Sequence, residues 1–551
     1  MQLLVDVFGY LSIILHGVTI VGQATALGTV LFLVFLARPQ AWMIGATGDA
    51  VITDTVRIAR WAILALVTSE AIATSMQLAV LVTTTGLDIG EAVGAHFAIA
   101  GMIKIAAALA LLGLLALGDS ALSSVLLLIA GACVLAAGTL TTHAVARVED
   151  RELLLAATML HQFGAAIWIG GIPAFIAALR RGGDSAAWRM VGERFSRMCQ
   201  IGVGAILLSA SVLATWYIGS VEASYGTAYG VMAGAKALMF GALLLLGFGN
   251  FRLIRSLRPH RDTSITRLRR FAEVEIGIGF TLFFAAASLT SVPPGIDLTQ
   301  DRVTFHEIVE RNRPMWPRFQ SPDHDSLALP ALQAKLDAEA AANAQKPQPA
   351  FVPGAGLLPD RNAADIAWSE YNHHWSGLFV ITIALLALAN QAGLRTARHW
   401  PVLFLGLAGF LFFRSDPETW PMGNISFVDS LRDVEVLQHR FYVVLLIGFA
   451  VFEWRVRLGH ARAQWMTLVF PLLTAIGAVA LLTHSHAIAN VKDQLLIELT
   501  HTPLALAGAA AGWARWLEVR LDDGRGRRIA GWVWPVCFLV VGLSLVGYRE
   551  A

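Results

Sequence analysis

The chain has 551 residues, of which 56% are hydrophobic and only 15% are charged, and its mean hydropathy is +0.62. A water-soluble protein of this length could not bury so much apolar surface, so the composition excludes a soluble globular fold. The net charge of +2 excludes the strong basic field on which non-specific nucleic-acid binding depends. Cys133, Cys199 and Cys537 lie far apart and indicate neither a disulfide framework nor a thiolate metal site.

Apolar segments of roughly membrane-spanning length follow one another along the chain, about fourteen in all. The first begins close to Met1 and lacks a basic region and a cleavage site, so we interpret it as a helix rather than a signal peptide. The sequence therefore predicts an all-α polytopic membrane protein with about 14 transmembrane helices in two helical bundles. We expect an eight-helix domain at 1–295, a periplasmic connector at 296–370 and a six-helix domain at 371–551.

The arginine-rich loops predict the orientation, because Lys and Arg concentrate in cytoplasmic loops. Five such loops fall on one side of the membrane if the segments alternate in direction. We therefore expect a bacterial inner-membrane protein with residue 260 in the cytoplasm. Residue 340 and both termini should then be periplasmic.

Most histidines fall on the predicted periplasmic side. Three of the 15, His260, His399 and His460, are predicted to lie inside. The other twelve lie in outer loops or outer halves of segments: His16, His96, His143, His161, His306, His324, His373, His374, His439, His484, His486 and His501. A histidine is costly within a bilayer, so this asymmetry indicates a function. Neutral imidazole is a common ligand for copper, zinc and iron, and a bis-histidine pair can also hold haem b.

In the first domain, His16 and His161 each lie about eight residues into a segment, so both are predicted roughly 12 Å below the outer surface. We expect them to face each other, with His96 and His143 at the outer ends of neighbouring segments. The alternative for each of these histidines is an ordinary helix cap or a hydrogen-bonded polar group.

In the second domain, histidines at the outer ends of four helices are predicted to converge on one site. The candidates are His373 or His374, His439, one of His484 and His486, and His501. Glu370, Asp433 and Glu498 are candidate acceptors for the ring N–H groups, as are the carboxylates of the loop that contains Asp416 and Glu418. The alternative is that these histidines cap helices and bond the 414–438 loop.

Other polar side chains lie inside predicted membrane segments, where each is expensive unless it faces the bundle interior. Glu70 and Gln77 share one helix face, with Met76 beside them, and could form part of a cation path. An interhelical ion pair between Glu70 and Lys104 is the alternative. Lys236 lies in the seventh segment.

Several stretches resemble the copper resistance protein D family, which includes CopD, PcoD and YebZ. They include LHGVTIVGQATALGTVLFLVFL in the first segment and THA…LHQFGAAIWIGG in segments four and five. The most similar stretch, 228–294, contains a lysine-bearing helix, a basic loop, an arginine run, a helix-opening glutamate and a closing Pro-Pro. The matching residues here are Lys236, Asn250, Arg252, Arg267, Arg269, Arg270, Glu275, Pro293 and Pro294. The resemblance covers about 1–295, and 371–551 is similar to a C-terminal extension of longer family members.

The resemblance implies copper handling at or across the inner membrane, for copper resistance or supply. It also implies a separate periplasmic CopC-like copper chaperone as a partner, beside membrane lipid, and no nucleic acid. The competing hypothesis is a b-type haem redox protein that exchanges electrons with quinone or a periplasmic partner, which would make the chain an oxidoreductase. The third hypothesis is that the chain is a purely structural membrane subunit. The scarcity of inner-side histidines argues against electron transfer across the whole bilayer.

Overall fold

A computed structural model describes residues 2–44, 47–118, 120–181, 185–257, 264–299, 302–313, 315–323, 363–461, 463–483 and 491–550. Helices account for most of these residues. The described ranges contain no β-strand, and their one isolated β-bridge joins Thr419 to Ile425.

Thirteen α-helices lie in the described residues up to 313. They are α1 (Gln2–Phe32), α2 (Arg38–Ile44), α3 (Gly48–Thr85), α4 (Ile89–Val93), α5 (His96–Leu114), α6 (Ala121–Thr139), α7 (Arg151–Ala165), α8 (Ile172–Arg181), α9 (Ser185–Tyr217), α10 (Val221–Gly226), α11 (Ala228–Ser256), α12 (Thr266–Leu289) and α13 (Phe305–Arg311). Two π-helical turns, Leu33–Ala37 and Ala166–Gly170, continue α1 and α7, and two 3₁₀ turns cover His143–Ala146 and Gly295–Asp297.

The second half adds seven α-helices within the described residues. They are α14 (Ala363–Gln391), α15 (Leu403–Arg414), α16 (Phe427–Ser430), α17 (Val434–Arg457), α18 (Met466–Leu482), α19 (Val491–Arg520) and α20 (Arg525–Val546). A 3₁₀ helix at Arg395–Val402 leads directly into α15.

Thirteen helical spans in the described ranges are long and apolar enough to cross a membrane. A further apolar helix, α18, has 17 residues and is slightly shorter than the others. Helices satisfy their own backbone hydrogen bonds, which is what a lipid environment demands. The prediction of an all-α polytopic membrane protein is confirmed.

One end of the helix assembly carries the loops around His143, the segment after α12 and the last residues of the chain. Arg147 donates to both carboxylate oxygens of Asp297, at 2.8 and 2.6 Å, which ties two of these loops together. Arg311 in α13 donates to the carbonyl of Glu550 at 3.1 Å. We call this end the tail face, which comprises residues 140–150, 290–299, 302–313, 315–323 and 547–550. It corresponds to the predicted periplasmic side.

The first core surrounds α1, which packs against α3, α12 and the π-helical turn after α7. Glycines permit the closest of these approaches. A Cβ atom on Gly170 would lie 1.9 Å from the carbonyl oxygen of Ala24, and one on Gly28 would lie 2.1 Å from that of Ala166. Any side chain at either glycine would therefore force the two backbones apart.

A second core lies wholly within the C-terminal helices and is rich in aromatic rings. Trp400, Phe404, Phe470 and Trp534 are almost fully buried in it, and their rings meet at centroid distances between 5.4 and 6.2 Å. Such offset and edge-on contacts stabilise aromatic clusters beyond simple area burial.

The two cores meet where α12 packs against α19. A Cβ atom on Gly277 would lie 2.0 Å from the indole of Trp513, so the glycine admits the ring. Glu273, four residues earlier, accepts hydrogen bonds from Trp516 at 3.0 Å and from Arg520 at 3.2 Å. Polar and apolar contacts thus join the two predicted domains along one helix pair.

Candidate metal site

Two histidines from different helices lie beside each other near the tail face: His373 in α14 and His501 in α19. Their ring centroids are 6.1 Å apart and their planes are nearly perpendicular, at 87°. Tyr548 stacks on His373 with a centroid distance of 3.8 Å and meets His501 edge-on at 5.9 Å. Because α20 packs against both α14 and α19, it carries Tyr548 to the two rings.

Local hydrogen bonds give both histidines the same tautomer. Nδ1 of His373 donates to the carbonyl of Ser369 at 2.8 Å, and Nδ1 of His501 donates to that of Ile497 at 2.9 Å. A carbonyl can only accept, so each Nδ1 carries the proton and each Nε2 carries the lone pair. Both bonds reach back one turn within the same helix. The helices themselves therefore present two imidazoles in the form that ligates metals.

His374, the next residue, has a different role. Its Nδ1 accepts from the backbone N–H of Arg318 at 2.7 Å, and its Nε2–H donates to the carbonyl of Tyr548 at 2.8 Å. The residue is only 5% exposed. Both ring nitrogens are thus engaged in joining α14 to the tail face, which makes His374 a structural residue in this arrangement.

His439 in α17 is oriented by a carboxylate. Its Nδ1 donates to Oδ1 of Asp416 at 2.7 Å, and Ser415 donates to the other carboxylate oxygen at 2.6 Å. This is the carboxylate–histidine arrangement that fixes the tautomer of many metal-bound imidazoles. His439 lies near enough to His373 for their charges to interact.

The three carboxylates named as candidate acceptors bond elsewhere. Glu370 accepts from Nε of Arg318 at 3.2 Å, and Glu498 accepts from the hydroxyl of Thr502 at 3.0 Å. Asp433 caps α17 by accepting the first backbone N–H groups of that helix. Among the candidate acceptors, Asp416 is the one that receives a histidine N–H.

No three His, Cys, Asp or Glu side chains in the described part of the chain gather closely enough to hold a metal ion. His484 and His486 lie outside the described residues. The convergence of four histidines on one site therefore stays a prediction, of which the structure supplies the His373–His501 pair.

In the first half, His143 occupies a 3₁₀ turn and its Nε2 atom is buried, with no hydrogen-bond partner among the described residues. Burial and the nearby Arg147 lower the pKa of His143. His16, half-buried in α1, lies within electrostatic range of both His143 and Lys104. His96, by contrast, is exposed at the start of α5.

His161 is half-buried in α7, and its Nδ1 lies 3.1 Å from the hydroxyl of Ser209. Its neighbour Gln162 accepts from Gln23 at 3.0 Å. Gln23 lies about two helical turns beyond His16 in α1. That His16 and His161 face each other stays a prediction. The bond between Gln23 and Gln162 places His161 nearer the level of Gln23 than that of His16.

Glu70 and Lys104 form an ion pair in which Lys104 lies 3.1 Å from both carboxylate oxygens. Both side chains are buried, and the helices approach closely at Gly101, one turn before the lysine. The sequence left two interpretations of Glu70, a cation path and an ion pair with Lys104, and the structure contains the ion pair. Met76 is buried and Gln77 is half-buried further along α3.

Lys236 is half-buried in α11 and has no carboxylate within ion-pair distance among the described residues. It lies within electrostatic range of His161. A lysine beside a neutral imidazole can attract an anion or tune the imidazole, but it offers no ligand for a cation while it is protonated.

The loop before His439 is electronegative. Burial, together with the adjacent Asp416, raises the pKa of Glu418 to about 8. Burial and Glu435 likewise raise the pKa of Asp433. The raised pKa means that the Glu418 carboxyl favours its neutral form at neutral pH, and a nearby cation would favour its ionised form.

Tyr548, Glu550 and Ser369 lie beside the His373–His501 pair, and the sequence alone did not indicate any of the three. Tyr548 stacks on the pair and donates its hydroxyl to Glu550 at 2.8 Å, and Ser369 also donates to Glu550. The motif GYREA gave no signal of this role, because Tyr548 lies more than 170 residues from His373 in the sequence.

Residues 189–289, which cover α9 to α12, match the family model described as Copper resistance protein D. The Copper transport protein CutJ of Bacillus subtilis (strain 168) is 34% identical over 163 residues. That alignment covers 29% of this chain and 29% of the relative, so the similar region is less than a third of either protein. No solved structure matches the chain. The resemblance to the copper resistance protein D family is confirmed for this segment.

Proposed function

We propose that this chain is a copper-handling membrane protein that binds copper ions at its tail face and moves them toward or across the bacterial inner membrane. The observation that carries the proposal is the match of α9 to α12 to the copper resistance protein D family. The name of the CutJ relative adds copper transport as the mode of handling. Both descriptions name copper and neither names haem.

The His373–His501 pair is the proposed copper-binding site. Two imidazoles with their lone pairs on Nε2 form a donor set that suits copper. The i−4 carbonyl bonds hold the tautomer before any ion arrives, so little order has to be created on binding. Asp416 fixes His439 in the same tautomer nearby, so His439 is a candidate to receive or pass on the ion beside the two-histidine site.

The tail face is proposed to be periplasmic, as the arginine-rich loops predict. Copper would then arrive from the periplasm, and a separate CopC-like chaperone would be its donor. The carboxylate of Asp416 would attract the incoming cation toward His439, and the cation would favour release of the Glu418 proton.

Copper binding by single-histidine variants tests the site. The detergent-purified protein is titrated with Cu(I) under reducing conditions, in competition with a chromophoric Cu(I) chelator. We expect His373→Ala and His501→Ala each to weaken copper binding by about tenfold or more, because each removes one of two imidazoles. Bound copper per protein is measured on the same samples.

His306→Ala is the matched control, since His306 is also near the tail face but its side chain is 82% exposed. It should bind copper as the wild type does. Wild-type binding by both His373 and His501 variants, with normal unfolding temperatures, would remove the site from the proposal. A Soret band in the purified wild type would favour the haem hypothesis instead.

A further inference from the structure

One buried carboxyl group lacks the cationic partner that comparable groups have. Glu275 in α12 is 4% exposed and accepts hydrogen bonds from the indole of Trp168 at 3.3 Å and from the side-chain amide of Asn250 at 2.5 Å. Both donors are neutral, and no Lys or Arg of the described residues forms an ion pair with Glu275. The buried Glu70, in contrast, is paired with Lys104. An ionised carboxylate buried among neutral groups is expensive.

The side chain of Asn250 indicates that a hydrogen-bond donor is missing beside Glu275. It is 7% exposed, and its Oδ1 atom is buried without a hydrogen-bond partner among the described residues. A buried acceptor without a donor is unfavourable, because it has lost its hydrogen bonds to water. The same amide already donates from Nδ2 to Glu275. A carboxylic acid that faces a primary amide can form two antiparallel hydrogen bonds, N–H to carboxyl oxygen and O–H to amide oxygen. A proton on Glu275 would supply the absent donor.

Among the described residues, no Lys or Arg contacts Glu275 to stabilise its ionised form. Cys199 on α9 is a titratable group within electrostatic range of Glu275. Glu273, on the same helix, faces α19 and is paired with arginines. Lys236, on the same helix as Asn250, lies about 21 Å away along the axis.

Among the other helices packed against α12, α8 ends in Arg180 and Arg181, and neither forms an ion pair with Glu275 in the described part of the chain. The sequence of α18 has no charged residue. In α1 the titratable residues are Asp6, Tyr10 and His16, all in its first half. The arginines of α19, Arg515 and Arg520, are engaged with carboxylates.

The position of the pair suggests a route for the proton. Asn250 lies six residues before the end of α11 and Glu275 nine residues after the start of α12, so they lie roughly 9 and 14 Å from the face opposite the tail face. Trp168 belongs to a π-helical turn, a distortion often found at functional sites. His161 lies on the same helical segment about 10 Å nearer the tail face.

We propose that Glu275 is a proton-binding site, in which the neutral carboxylic acid forms a two-bond pair with Asn250 and releases its proton to the opposite face when a cation passes through the first bundle. The coupling part rests on the proposed copper function, but the proton site does not. Release leaves the Glu275 carboxylate and a proton in water, and reprotonation restores the pair.

Infrared spectroscopy in an ester-free detergent tests the proton site directly. The wild type should show a carboxylic-acid carbonyl band that shifts on ¹³C labelling of glutamate side chains. Glu418 also contributes to this band, so the Glu275 part is read from the difference between variant and wild type: we expect Glu275→Gln to lose band intensity. The Glu275 part should move to higher frequency in Asn250→Leu, because the acid loses its amide partner. Glu70→Gln is the matched control and should leave the band unchanged, since Glu70 is ion-paired.

A wild-type spectrum without the labelled band, or a band of unchanged intensity in Glu275→Gln, would overturn the proposal. The wild-type spectrum is a readout of its own, so the proposal can still be overturned if a variant folds poorly.

Coupling is tested in proteoliposomes with a pH-sensitive dye inside, to which copper is added. We expect copper-driven proton movement in the wild type and its loss in Glu275→Gln. Copper movement without proton movement in the wild type would overturn the coupling. Absence of copper binding altogether would contradict the proposed function while leaving the infrared result intact.

Discussion

Adjacent histidines illustrate how much is decided at the level of single hydrogen bonds. His373 and His374 are neighbours in sequence and both were candidate ligands. His373 bonds its own helix through Nδ1, whereas His374 bonds Arg318 and Tyr548 through its two nitrogens. The His373 ring has its lone pair on Nε2, whereas both ring nitrogens of His374 form hydrogen bonds that join parts of the fold.

Glu418 should make stability depend on pH. Its folded-state pKa of about 8 lies above the ordinary value of 4.5, so between these values the folded protein holds more protons than the unfolded chain. Stability should therefore fall as the pH rises through this window and level off above it. Glu418→Gln should remove that part of the decline, as measured by unfolding temperatures at about pH 5 and about pH 9.

Glu310→Gln serves as the comparison, because its side chain is 62% exposed and lies outside the membrane spans. It should keep the wild-type dependence on pH. Equal pH dependence of the wild type and Glu418→Gln would show that the acid form of Glu418 does not contribute to stability.

At the scale of the elements, glycine contacts set how closely the helices of the first bundle approach. The π-helical turn Ala166–Gly170 and α1 share a contact in which backbone meets backbone. The apolar pattern of these segments indicates that they span a membrane, but it does not reveal which glycine faces which neighbour.

Gly170→Ala should lower stability by about 1–3 kcal/mol or more, since its methyl group would meet the carbonyl oxygen of Ala24 at 1.9 Å. Gly241→Ala in α11 is the matched control, because nothing lies within 4 Å of its added Cβ. The control should be neutral or stabilising by up to about 1 kcal/mol, from helix propensity. Unfolding temperatures in detergent measure both. Similar unfolding temperatures for the two variants would mean that α1 moves away from the added methyl group without a loss of stability.

At the scale of the whole molecule, α12 and α19 hold the two halves together. Trp513 fits over Gly277, and Glu273 bonds Trp516 and Arg520. This interface, rather than the 296–370 connector, should keep the halves associated.

A protease site engineered at residue 340 tests both the association and the orientation. Protease added to the outside of spheroplasts should cut there, because the connector is predicted to be periplasmic. The halves should then co-purify, and Trp513→Ala combined with Glu273→Ala should allow them to separate. A site engineered at residue 260 should stay protected. Cleavage at 260 but not at 340 would reverse the topology, and separation without the substitutions would contradict the interface.

The amino-acid sequence was enough to predict the class of protein and the position of most helices. Runs of about twenty apolar residues have few alternatives to a membrane helix, since lipid leaves no other way to satisfy the backbone. The ordered residues Lys236, Asn250, Arg270 and Glu275 carried the family resemblance, which the match over 189–289 confirms.

The partners of the polar side chains, by contrast, can be read only from the tertiary structure. Sequence spacing predicts the depth of a residue in a helix, but rotation and partners depend on helices far away in the chain. Glu70 meets Lys104, Glu275 meets Asn250, and Tyr548 covers His373. Burying either partner alone costs free energy, and only the contact between the two offsets that cost, so no single segment of sequence contains it.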